Sequence, residues 1–323
     1  MTARKRTTLV VVAIALVVGG AVAGITAASS SEPSGVAAEE PTLRAGNPPL
    51  SLDLGVRVDR EARDLREALR LYEAGKKVEA GTLFDRHDSL EARVGQAVSG
   101  WPNDTVARLT QLSGLHPKSA AVQLNLGIAR YWAGETGAKD AWQAAAELEP
   151  DTAYAVTAAN LLHPEFARNL PLFVPVENAP PAVSRLPAPA QFAALERRAR
   201  DGSVEDLLFY GVALQRLGRQ RSGERVFAEA ARRSPTNPEA RVAAAVGLFD
   251  KARPVKAFSR LGPLSRTFPN AATVRFHLGL LLLWSGQVKE ARRQLELVAR
   301  VEPDSRLVGI AKQYLDQLRA AGI

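Results

Sequence analysis

Residues 275–303 read RFHLGLLLLWSGQVKEARRQLELVARVEP, and residues 207–235 read LLFYGVALQRLGRQRSGERVFAEAARRSP, with small and large apolar residues at matching offsets. Pro235, Pro269 and Pro303 stand 34 residues apart in succession. A constant period of this size marks a chain built from stacked copies of one unit. Gly211, Gly218 and Gly223 align with Ala245, Ala252 and Ala257, and these with Gly279, Gly286 and Ala291. Small residues recur where two helices approach closely or where a turn needs a positive φ. Phe227, Leu261 and Leu295 share a further offset, as do Ala230, Leu264 and Val298. Each copy therefore ends in a helix with an apolar stripe at a spacing of three to four, which proline then stops.

Over residues 204–303 this pattern resembles the tetratricopeptide repeat family: a small residue after an apolar one, a turn glycine, an alanine opening the second helix, a large apolar residue four positions later, and a closing proline. The resemblance implies an all-α solenoid of helical hairpins. The middle copy departs from it, with alanine for both glycines and with Pro254 and Gly262-Pro263, so distortion is expected in its turn and second helix.

The N-terminal half carries a worn form of the pattern. In LNLGIARYWAGETGAKDAWQAAAELEPD, residues 124–151, Leu126, Gly127, Trp132 and Gly134 precede Leu278, Gly279, Trp284 and Gly286 by 152 residues, while Pro150 precedes Pro303 by 153. The difference predicts a one-residue deletion in the turn near Gly137. Pro117 closes an irregular unit that begins near Ser89, with Asn103 or Asp104 as an N-cap. Further upstream, ALRLYEAGKKVEAGTLF, residues 68–84, places Gly75, Ala80 and Phe84 at the expected points. About three repeats are expected in each half.

The N-terminus sets the expected location. Arg4, Lys5 and Arg6 precede an uncharged run, LVVVAIALVVGGAVAGITAA, from Leu9 to Ala28. About 20 apolar residues cross a bilayer as a helix, and the basic flank places residues 1–8 in the cytoplasm and the chain beyond the span outside it. A cleaved signal peptide is the alternative, with Ala21-Val22-Ala23 as the cleavage site. Residues 29–58, rich in serine, proline and acid, are expected to form a disordered stalk. A degenerate repeat block then spans 59–163, a proline-rich connector 164–190, and a regular block with a capping helix near 307–319 spans 191–323. Within the connector LPLFVPV, residues 170–176, is too apolar for water. It is expected to pack on a repeat face, either bracing the two blocks or lying in a groove as an internal ligand, with bracing preferred.

The chain has 42 basic and 34 acidic residues and no cysteine. Thiolate zinc sites, disulfides and cysteine nucleophiles are thereby excluded. With three basic residues in the flank, the exported part keeps a mild basic bias that fits a solvated helical surface. It shows no basic stripe interleaved with stacking aromatics, so nucleic acid is not an expected partner. His87, His116, His163 and His277 are far apart and form no metal-ligand spacing, and no phosphate loop or nucleophile elbow is present. No catalytic residue, metal or cofactor is expected.

In proteins with the resembling repeats, first helices line a concave side that makes the contacts. That geometry places Leu124, Ile128, Tyr131 and Trp132 in the groove of the N-terminal block, and Gln215, Arg216, Phe249, Asp250, Phe276, Leu280, Leu283 and Trp284 in that of the C-terminal block. Core packing between repeats is the competing role for the aromatics, and a packing or groove role is expected for His277. The expected function is a membrane-tethered interaction module binding a peptide or protein partner in the cell envelope. The alternative is a structural envelope protein that binds anionic wall polymer or lipid headgroups through its basic surface.

Overall fold

A computed structural model describes residues 44–322. The expected basic flank 1–8, the apolar span 9–28 and the first part of the stalk, 29–43, lie outside the described residues. Among those described, no helix is long and apolar enough to cross a membrane. The described residues form 16 helices and no strand, in two compact units that divide between Leu162 and His163.

In the N-terminal unit, α1 (Arg60–Glu73) pairs with α2 (Lys77–Phe84), α3 (Leu90–Ser99) with α4 (Thr105–Leu115), and α5 (Ala120–Ala133) with α6 (Ala138–Leu148), before a single helix α7 (Ala153–Leu162). Asp59, Ser89 and Ser119 start the first helix of each hairpin, each accepting from an N–H of the first turn. Helix α5 is apolar nearly all round and serves two cores. Val122, Leu126 and Ala129 pack toward the first two hairpins, while Leu124 and Ile128 pack with Trp142 and Tyr154.

The C-terminal unit opens with a four-residue helix α8 (Pro181–Ser184) and α9 (Ala188–Asp201). Three hairpins follow: α10 (Val204–Arg216) with α11 (Gln220–Arg233), α12 (Pro238–Gly247) with α13 (Val255–Thr267), and α14 (Ala272–Trp284) with α15 (Val288–Val301). Helix α16 (Arg306–Ala320) closes the array, and its Tyr314 ring meets Phe276 edge-on at 6.2 Å. The first helices begin at 204, 238 and 272 and the second helices end at 233, 267 and 301, so the 34-residue period governs both boundaries. Each of the three period-marking prolines stands two residues beyond the end of its helix.

Two glycine roles explain the recurring small residues. Gly218 and Gly286 adopt φ of 70° and 73° at the hairpin turns, where a side chain would be strained. Gly211 and Gly279 lie where the partner helix crosses: a Cβ on Gly211 would come within 2.3 Å of the Phe227 ring, and one on Gly279 within 2.9 Å of Leu295. Phe227, Leu261 and Leu295 are buried, one in each second helix, and truncating such a residue to alanine costs roughly 2–5 kcal/mol.

The structure corrects several sequence expectations. The missing residue before Pro150 is lost from a helix rather than from the turn. Helix α6 has 11 residues against 14 in α15, while the turn ahead of it is longer and ends on Gly137 at φ 81°. The middle C-terminal copy is distorted in its first helix and turn: α12 has 10 residues against 13 in α10 and α14, whereas α13 runs through Pro263 to Thr267. Residues 44–58 are not a solvated stalk, because Pro48, Leu50 and Leu54 are buried against the N-terminal unit. Nor is 164–190 a free connector, since it belongs to the C-terminal unit and buries Ala167, Phe173 and Val183.

Candidate functional site

Helix α14 buries almost every side chain, and its two buried polar groups, Thr273 and His277, lie one turn apart. The imidazole Nδ1 lies 2.7 Å from the Thr273 carbonyl oxygen, which can only accept, so Nδ1 carries the proton. Nε2 is then left as an acceptor, and it takes the main-chain N–H of Val174 at 2.9 Å. Burial holds the imidazole down to about 4, outweighing the Thr273 carbonyl, so the ring is neutral near pH 7.

Val174 belongs to the apolar stretch 170–176, and further side chains of the same unit hold that stretch. Phe173 donates its N–H to Gln215 Oε1 at 3.0 Å, Val176 donates to Glu239 Oε1 at 2.6 Å, and the Pro175 carbonyl accepts from Arg306 Nη1 at 2.8 Å. Slightly upstream, Lys251 Nζ donates to the Ala167 carbonyl at 2.5 Å, and burial draws its ammonium down to about 8. Gln215, Glu239 and His277 come from the first helices α10, α12 and α14 in order, and Arg306 opens α16. Phe173 is 1% exposed. Its ring stacks on His277 with centroids 4.8 Å apart and meets Phe227 edge-on at 5.5 Å. Pro171 and Pro175 have no N–H to satisfy and favour an extended chain, so the stretch can cross the helices without a ladder of its own. Of the two roles expected for it, the internal ligand is the one its hydrogen bonds describe.

The N-terminal unit holds its own leading segment in a related way. Asn125 on α5 donates to the carbonyl of Ala121, one turn back, at 2.8 Å. The same amide accepts from Ser51 N–H at 3.0 Å and donates to the Ser51 carbonyl at 2.9 Å. Around it, the Tyr72 hydroxyl donates to the Pro48 carbonyl at 2.7 Å, Trp101 Nε1 to the Gly46 carbonyl at 3.1 Å, and Asp53 N–H to the Tyr154 hydroxyl at 2.9 Å. Arg44 donates its main-chain N–H to the Trp132 carbonyl at 2.8 Å and lays its guanidinium over the Tyr131 ring at 3.8 Å. Burial raises the Tyr72 and Tyr154 hydroxyls well above the usual phenol value, so both remain protonated.

Asn125 and His277 are separated by the same 152 residues that relate the two repeat blocks. Each is anchored to the carbonyl four residues earlier, and each presents an acceptor to the main chain of an extended segment. Both lie immediately before the apolar-glycine pairs Leu126-Gly127 and Leu278-Gly279. A polar residue recurring there on otherwise apolar helices was the available signal.

Among the expected groove residues, Gln215 meets the internal segment with its side chain, as Tyr131 does through Arg44, and Trp132 contributes a carbonyl. Arg216 is exposed at the end of α10. Leu124 and Ile128 are core residues, as are Phe276, Leu280, Leu283 and Trp284, because their faces of α5 and α14 pack against neighbouring helices. Phe249 and Asp250 are not on a first helix at all. Since α12 ends at Gly247, Phe249 folds into the core and Asp250 caps the turn through Ala252 N–H. Asn125, Glu239 and Arg306 were missed.

Among the described residues, no group of three or more histidine or acidic side chains is placed to hold a metal ion. Arg57, Arg108, Arg233 and Arg319 pair with carboxylates three or four residues away. No protein-family model matches the chain, and no curated protein matches it. Solved structures do. YrrB, described as a TPR protein with an unusual peptide-binding site, is 17% identical, with a TM-score of 0.31 over 64% of this chain and 97% of its own. The APC/C hetero-tetramer Cut9–Hcn1 is 14% identical, with a TM-score of 0.27 over 80% of this chain and 55% of that one. At these scores neither likeness bears on function.

Proposed function

We propose that this protein is a membrane-tethered scaffold outside the cytoplasm, whose repeats receive an extended peptide segment of a partner in the cell envelope. One observation carries the reading: side chains from three successive first helices already hold the main chain of an extended segment in the C-terminal unit, and Asn125 holds that of another in the N-terminal unit. Groups that grip amides and carbonyls rather than particular side chains suit a peptide ligand, with specificity left to pockets such as the one around Phe173. The uncharged run from Leu9 to Ala28 behind Arg4, Lys5 and Arg6 supports the tether and its orientation. The local pairing of surface arginines favours the groove over the polymer-binding alternative.

A photo-crosslinking residue placed at Arg216, exposed at the end of α10, and another at Arg232, exposed on α11, separate groove from back surface. In native membranes the first is expected to capture a discrete protein that the second does not. Capture at both positions, or at Arg232 alone, overturns the groove reading. Release of the protein by alkaline carbonate overturns the tether.

A further inference from the structure

The internal ligand of the C-terminal unit fits its groove incompletely at two points. Gln215 is 5% exposed and accepts from Phe173 through Oε1, while its Nε2 is buried without a hydrogen-bond partner in the protein. Asn125, in the other unit, uses both ends of its amide on Ser51. The second misfit is electrostatic. Val176 and Glu177 lie at a shallow depression of about 420 Å³ that is also lined by Glu205, Glu239 and Glu302. The Glu239 carboxyl is held above its ordinary value, first by burial and then by Glu205, Glu177 and Glu302, against the lowering effect of the Val176 N–H. The internal segment thus brings a carboxylate into a place already crowded with carboxylates.

A ligand that shares the apolar part of this segment but ends in a cation would exchange repulsion for attraction. We propose that residues 170–176 are a displaceable internal ligand, and that the partner presents an extended aliphatic-aromatic-aliphatic stretch followed within a few residues by lysine or arginine. The inference rests on the peptide-scaffold reading and adds the ligand's chemistry and its regulation. The aromatic ring enters the slot between Phe227 and His277. Amides at the ring-bearing residue and the next one meet Gln215 and His277, and a third meets Glu239. The cation takes the place of Glu177. Because the groove is open only while the internal segment is out, the apparent affinity is reduced by the closed fraction.

The test uses the full chain and two labelled peptides, one copying residues 168–178 and one with lysine in place of its glutamate. The lysine peptide is expected to bind about tenfold more tightly than the native copy, and the gap narrows as salt rises. Replacing the phenylalanine of the lysine peptide by alanine abolishes binding. Two variants of the protein test displacement. Phe173→Ala empties the slot and is expected to raise affinity for the lysine peptide about tenfold or more. Glu177→Lys, at an exposed position where folding is not at risk, improves the internal ligand and lowers that affinity about tenfold. Equal binding of the two peptides, or affinity unchanged by Glu177→Lys, overturns the proposal whatever Phe173→Ala does. If partner capture at Arg216 persists unchanged in Glu177→Lys, displacement fails while the scaffold reading stands. Peptide binding in the expected order without any captured partner has the opposite meaning.

Discussion

The two units solve one problem with different side chains at equivalent positions. Asn125 meets Ser51 in both directions, with an acceptor for its N–H and a donor for its carbonyl, and it has no charge to gain. His277 meets Val174 only as an acceptor, and it keeps that role only while neutral. The segment over the N-terminal unit is pinned along its length by Trp132, Trp101, Tyr72, Asn125 and Tyr154. The segment over the C-terminal unit depends on one aromatic ring, on three acceptors, one of which is a carboxylate among carboxylates, and on the Arg306 guanidinium at the Pro175 carbonyl. One segment is built in as part of its unit, whereas the other is held by groups that conditions or competitors can change.

The sharpest way to break this contrast is Asn125→Leu. The substitution keeps the volume apolar and leaves both the N–H and the carbonyl of Ser51 without partners. At about 1–3 kcal/mol for each group so stranded, the N-terminal unit is expected to lose about 2–6 kcal/mol. The urea midpoint of that unit, followed by a probe such as Trp101 fluorescence, measures the loss. A change below about 1 kcal/mol would mean that the leading segment is not integral to its unit and that the two clamps are alike.

Acid tests the other clamp. The folded imidazole titrates at about 4 against an ordinary value of 6.5, so folding favours the neutral ring. The stabilisation is complete above about pH 6.5, declines as the unfolded or released state takes up a proton, and is exhausted below about 4. The difference corresponds to at most about 3 kcal/mol. Glu239, whose carboxyl is raised, works in the opposite sense and offsets part of the loss. Amide exchange at Phe173 and Val174 is therefore expected to accelerate, relative to the intrinsic rate, between pH 6.5 and 4, while Ser51 shows no such step. His277→Asn converts this clamp to the chemistry of the other. It removes the acid step at a cost of about 1–2 kcal/mol at pH 7, the stacking against Phe173 being lost. Persistence of the step in His277→Asn would assign it to another group.

How far the sequence disclosed these features depends on which of them repeat in it. The 34-residue interval carried the hairpin boundaries, because prolines and small residues mark places where the backbone itself is constrained, as at Gly218, Gly286 and Gly279. The groove was poorly legible. Leu280, Leu283 and Trp284 look like interface anchors by composition, yet α14 is packed on nearly every side, so size and aromaticity marked the core instead. Phe249 was misplaced because helix α12 stops three residues short of the length that the period implies. Asn125 and His277 do not match as letters, and only their shared task of offering an acceptor to a passing main chain makes them equivalent. The segments they hold have no period at all. Residues 44–58 look like a solvated tether because proline, glycine and polar residues interrupt their apolar ones and leave no helical period, whereas Pro48, Leu50 and Leu54 are buried and Leu52 packs beside the leucines.

Tyr154→Phe carries the smallest expected effect and tests whether the N-terminal segment is held point by point. The phenol oxygen accepts from Asp53 N–H at 2.9 Å, and the ring beneath it is a core residue that phenylalanine replaces without a cavity. Loss of the hydroxyl strands a single amide, against two groups at Ser51 in Asn125→Leu, so the cost is about 1 kcal/mol. Ser51 lies two residues away and keeps its two bonds to Asn125. Faster exchange is therefore expected at the Asp53 amide and not at Ser51. Equal acceleration at both amides would show that the segment lifts as one piece, which would make it as displaceable as its counterpart over the C-terminal unit.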